Sequence, residues 1–170
     1  MPTALYQLCV DALDAAGWQH SAPNDQETLG TQLLLGASMI GGSLRVIDGT
    51  VVRFLAFGGT YLPEDIEPLG AGIESRRPAL ERLLGRLNPL LDVGNFEHDE
   101  TLGVVCRTGA DLGGFVLDGV VSDPAAGRAV VTALVARATH QFAEQQALVE
   151  AVIEGTDPDD AFARAAAAAR

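Results

Sequence analysis

A chain of 170 residues, 48% apolar and 20% charged, can build one buried core but hardly two, and it is too apolar to stay disordered. Its formal charge of −12, from 23 acidic and 11 basic residues, opposes contact with bare nucleic acid. Every basic residue is Arg, so a phosphate loop with its Lys, a Schiff-base enzyme and a kinase-type Lys are all excluded.

Leu5, Leu8, Cys9, Ala12, Leu13 and Ala16 follow the spacing of one helical face. Thr3 is placed to cap this helix and Gly17 to end it. Ser21 to Gly30, with Pro23, Asn24 and Asp25, reads as a loop. Three strands are then expected, Thr31 to Ala37, Ser43 to Ile47 and Thr50 to Phe57, separated by Gly41-Gly42 and Asp48-Gly49. Asp-Gly between apolar runs is a strong hairpin signal, because a type I′ turn needs positive φ at both central residues.

The third run, Val51 to Phe57, is apolar on both alternating sets, which predicts cover on both faces. Its own helices would cover one face and a second subunit or partner the other; helices on both faces are the competing arrangement. Gly58 to Gly72 reads as a long surface loop. A second helix is predicted from Glu74 to Leu90, with Leu80, Leu83, Leu84 and Leu87 buried and Arg76, Arg77, Arg82 and Arg86 on a solvated face.

A second hairpin is predicted from Asn95 to Arg107, with Glu97 to Glu100 near its turn. After a loop containing Asp111, Gly113, Gly114 and Gly119, Ser122 or Asp123 caps a long helix that Gly155 stops. Asp157 starts a last, Ala-rich helix with little to bury. The pattern is α+β, an antiparallel sheet with helices in the order α-βββ-α-ββ-α plus that C-terminal helix. Residues 1–155 form the domain and 156–170 the tail.

Few residues suggest chemistry. His98 sits among Glu97, Asp99 and Glu100, but adjacent strand residues point to opposite faces and cannot converge on one metal ion, so a solvated turn is expected. Cys9 and Cys106 lie in apolar runs and read as buried reduced thiols. A nucleophile built from Cys106 and His140 would require hydrogen-bond contact between them. Asp157, Asp159 and Asp160 lack the spacing of a calcium loop. No catalytic, cofactor-binding or metal-binding residue is assigned.

The segments Leu83-Leu84-Gly85-Arg86-Leu87-Asn88, Gly94-Asn95-Phe96 and Gly103-Val104-Val105-Cys106-Arg107 resemble the central signature of the YbjN family. That signature is a helix ending in Leu-Asn, a Gly-x-Phe strand start and a strand ending in Arg. Glu154 to Pro158 with Ala161 extends the likeness, while Cys106 stands where the family often has an aromatic residue. The resemblance implies a fold similar to type III secretion chaperones, usually homodimeric, with roles in sensory or stress regulation and no catalytic residues.

These readings converge on a cytoplasmic, non-enzymatic, chaperone-like adaptor. Its expected partners are a second copy and a client protein, a basic or DNA-repair protein among the candidates, without direct nucleic-acid or membrane binding and without a cofactor. Val52, Phe54, Leu55, Phe57, Leu83, Leu87 and Phe96 are the expected partner or dimer surface. A small-molecule-sensing regulatory domain is the alternative.

Overall fold

In the computed structural model, Thr3 accepts a hydrogen bond from the Tyr6 N–H and starts helix α1, Ala4–Ala15, as its capping position requires. The structure describes residues 2–22, 24–36, 38–58, 70–91, 93–100 and 102–168. Most of the loop expected from Gly58 to Gly72 therefore lies outside the described residues, as do Ala37 and Thr101.

Six strands form one antiparallel sheet: β1 Gln19–His20, β2 Thr28–Leu35, β3 Ser38–Ile47, β4 Val51–Gly58, β5 Asn95–Asp99 and β6 Gly103–Asp111. Their spatial order is β1-β2-β3-β4-β6-β5, so the chain leaves β4, forms α2 (Gly70–Leu87), pairs β5 at the edge and returns inward as β6. A separate hairpin, β7 Val116–Leu117 and β8 Val120–Val121, precedes α3, Pro124–Ile153, and α4, Pro158–Ala168. The α+β class expected from the sequence is the one observed.

Several boundaries differ from expectation for identifiable reasons. Gly41 and Gly42 do not separate strands; they lie inside β3, where a Cβ on either would run into the Phe57 or Phe54 ring. The loop expected from Ser21 to Gly30 is shorter because β2 already starts at Thr28, paired with Arg45, and Gln19–His20 before it adds a short strand against Thr31 and Gln32. The Asp48-Gly49 turn forms as expected, with φ of 51° and 69°. A second Asp-Gly turn at Asp118-Gly119, φ 50° and 76°, closes the β7–β8 hairpin that was read as loop.

All four helices join one core. Leu5, Cys9 and Leu13 of α1, Leu80, Leu83 and Leu87 of α2, Val131, Val135 and Phe142 of α3, and Ala161 of α4 pack with Leu29, Ile40, Leu44, Val52, Phe54, Ala56, Phe96 and Cys106. Every strand residue in that cluster projects from the same face of the sheet. The molecule is thus two layers, helices on one face and no described helix on the other.

The Arg side of α2 is solvated as expected at Arg82 and Arg86, which are exposed, yet its arginines are engaged with the α3–α4 corner. Arg76 donates from Nε to the Val152 carbonyl, 3.0 Å, and from Nη2 to the Thr156 carbonyl, 3.1 Å. Arg82 pairs with Asp157 and Arg86 with Asp159, and the Arg86 guanidinium lies 5.9 Å from the Phe162 ring centre. These arginines hold the α3–α4 corner, because that corner presents helix-end carbonyls and capping carboxylates to them.

Candidate functional site

The segments that carry the sequence likeness come together in space at the β5 edge. Asn88 follows α2 and turns its amide onto the strand: Phe96 N–H donates to Asn88 Oδ1, 2.6 Å, and Asn88 Nδ2 donates to the Phe96 carbonyl, 2.9 Å. The side chain substitutes for a neighbouring strand at that residue. Gly94 has φ +80° and no room for a side chain, since a Cβ would sit 2.9 Å from Thr108 Cγ2. The Phe96 ring then packs 6.3 Å from that of Phe142, and Glu97 pairs with Arg107. The cluster organises an edge; it presents no reactive group.

Cys106 is fully buried, and among the described residues its thiol makes one hydrogen bond, a long one of 3.6 Å to Gln141 Oε1. Burial pushes its thiol up to about 12, so the nucleophilic thiolate is essentially absent at neutral pH. His140 lies on the solvent side of α3, lines a separate groove and shares no hydrogen bond with Cys106. The Cys106–His140 arrangement therefore lacks the contact it needed. His98 is not solvated as expected: it is half-buried in β5, facing the helix layer, with neither ring nitrogen hydrogen-bonded. Among the described residues no three His, Cys, Asp or Glu side chains gather as a metal site.

The residues expected to form a partner surface divide sharply. Val52, Phe54, Leu83, Leu87 and Phe96 are buried in the chain's own core, facing other elements of the same molecule. They cannot present a surface while the chain keeps this fold. Leu55 and Phe57 instead project from the opposite face of the sheet, Leu55 half-buried and Phe57 8% exposed.

That opposite face is the largest feature the sequence left unresolved. Cross-strand pairing puts Phe57 beside Val105, Leu55 beside Arg107 and Ser43, Arg53 beside Arg45, and Val51 beside Ile47. Arg45 and Arg53 are exposed and directly opposed. Among the described residues neither makes an ion pair or side-chain hydrogen bond. The carboxylates on the same face are engaged elsewhere: Glu97 with Arg107, Asp111 with the Gly113 N–H and Asp99 with the Leu102 N–H. Neither Arg45 nor Ile47 was singled out from sequence. The available signal was their alternation with the buried Leu44 and Val46.

A concavity lies between the end of α2 and α3. This groove of about 600 Å³ is lined by Leu87, Leu90, Leu91, Arg137, His140 and Glu144, among others.

With this geometry in view, comparison with known proteins adds one likeness. The chain is similar to the crystal structure of YbjN from E. coli, a candidate transcription regulator. The match covers 86% of this chain and 95% of that one, at 14% sequence identity and a TM-score of 0.46. No family model and no curated protein matches the chain. No helix among the described residues is long and apolar enough to cross a membrane.

Proposed function

We propose that the chain is a non-enzymatic, chaperone-like adaptor that holds a segment of a partner protein on the open face of its sheet. The observation carrying this reading is the asymmetry of the sheet. One face is filled by four helices, while the other, buried at Phe57 and Val105, carries Ile47, Val51 and Leu55 beyond them, all half-buried, with no described helix over them. Apolar groups on a face rimmed by polar ones are the usual ground for protein association. An antiparallel face also suits an extended or helical guest.

The net charge of −12 steers the molecule as a whole toward partners of opposite overall charge, a nucleic-acid-binding or repair protein among them, within the cytoplasm. Homodimerisation belongs to the same reading. Leu117 and Val120, opposed across the β7–β8 hairpin, are 63% and 65% exposed and offer an apolar contact for a second copy. Light scattering at rising concentration is expected to give twice the monomer mass.

The decisive experiment for the adaptor is Leu55→Asp. It puts a charge on the open face at a half-buried position and leaves the core untouched. The variant is expected to keep its melting temperature within about 2 °C and to lose the partner that the wild type retains on purification. A partner retained equally by both proteins would count against this face.

A regulatory, small-molecule-sensing domain is the second reading, favoured by the groove between α2 and α3, which combines leucines with Arg137, His140 and Glu144. A thermal-shift screen separates the readings: a metabolite that raises the melting temperature of wild type but not of His140→Trp, an exposed position lining the groove, would support the sensor.

A further inference from the structure

Like charges placed directly opposite on neighbouring strands destabilise a sheet. Arg45 and Arg53 are such a pair, their side chains rooted about 5 Å apart by the antiparallel ladder. In a chain with 23 carboxylates and 11 arginines, an acidic neighbour for either would be easy to supply. Among the described residues none is: the pair is exposed and without an ion pair there, and the carboxylates described on that face are taken.

We propose that Arg45 and Arg53 form a two-guanidinium clamp for the carboxylates of an acidic, extended polypeptide segment docked on the open sheet face. This deepens the adaptor reading and rests on it. Two planar guanidinium groups side by side can each bind a carboxylate through paired N–H donors, or share one between them. The flanking rows fix the rest of the guest's chemistry. Ile47 and Val51 lie on one side of the pair and Leu55 on the other, so apolar side chains are wanted two positions from the carboxylate. Gly109, next to Arg53 on β6, and Gly30, next to Ser43 on β2, leave the floor low where the guest backbone would cross. The molecule's overall negative charge and this local positive patch act at different ranges: the first governs approach, the second the seated contact.

The test uses the full chain and fluorescently labelled short peptides alternating Leu with Glu or Leu with Lys, read by anisotropy. The Leu-Glu peptide should bind wild type, and the Arg45→Gln/Arg53→Gln double variant should bind it at least about tenfold more weakly. The double variant should melt about 1–3 °C higher than wild type, because a repulsion has been removed. Equal binding by wild type and double variant overturns the proposal, as does a preference for the Leu-Lys peptide. A phosphoserine-containing peptide that outcompetes the Leu-Glu peptide by more than about tenfold would also overturn it, in favour of a phosphate site. Leu55→Asp keeps the two levels apart. Retention of the natural partner by the double variant but not by Leu55→Asp leaves the adaptor standing and removes the acidic anchor. Retention by both removes the two together.

Discussion

Asn88 shows how much one side chain can carry when it stands in for a strand. Its amide satisfies both the N–H and the C=O of Phe96 at the edge of the sheet. Asn88→Ala would leave two partly buried backbone groups unpaired, at about 1–3 kcal/mol, a loss that urea unfolding of the variant would measure. The thiols make the opposite point, because they matter by doing nothing. Burial pushes Cys9 and Cys106 up to about 12, with the negative charge of Glu27 adding to the effect on Cys9. A value raised above the ordinary 9.0 means that the folded state holds its proton when the unfolded chain has lost it. Their contribution is therefore complete below pH 9 and is lost as pH rises from about 9 to 12. Thiol reagents at pH 8 should label neither Cys in the native protein and both after unfolding. Both thiols were legible as core from their apolar neighbours. Asn88 was legible only as part of a motif, since no rule of spacing says that its amide reaches Phe96.

At the level of elements, alternation and turn chemistry located most of the strands, and glycine misled in both directions. Asp48-Gly49 was legible because its turn needs two positive φ values. The same signal at Asp118-Gly119 was present and marks β7–β8. Gly41-Gly42 looked like a break but is a recess: the Phe57 and Phe54 rings from β4 lie across it, on opposite faces of the sheet. Nothing local distinguishes a glycine that turns the chain from one that makes room for a cross-strand ring. Gly42→Ala puts a methyl 2.7 Å from Thr31 Cγ2 and into the Phe54 ring. The expected cost is about 1–3 kcal/mol from overpacking, with a lowered melting temperature by calorimetry and the sheet retained by circular dichroism.

For the molecule as a whole, the corner between α3 and α4 determines whether the last helix belongs to the core. Ala161 is buried and Phe162 packs beside it, while Arg76 binds two carbonyls at the end of α3. Arg76→Ala should cost about 1–2 kcal/mol, with faster hydrogen exchange in α4 than in α1 as the readout. Asp157 is held below the usual carboxylate range, first by the Asp159 N–H and then by the Arg82 charge. A lowered value places its stabilising effect above the unfolded carboxylate's range, to be lost as pH falls through the folded one. The amides of α4 should therefore exchange faster in acid before the sheet does.

Sequence alone determined the α+β class, the cap at Thr3, the cap of α3 to within Ser122 or Asp123, the Asp48-Gly49 turn and the inertness of the cysteines. Each of these follows from local propensity or from a periodicity confined to one element. Only the tertiary structure decided which face of the sheet is covered and which arginines are engaged. β4 is apolar on both alternating sets, so its pattern cannot choose a face; that depends on where four helices dock. The Arg45–Arg53 pairing depends likewise on Thr50 staying outside the ladder, with its carbonyl taken by the Leu112 N–H, so that Ile47 meets Val51. A shift of one residue there would set each arginine opposite a core side chain, and a register is a property of two strands together, invisible in either one.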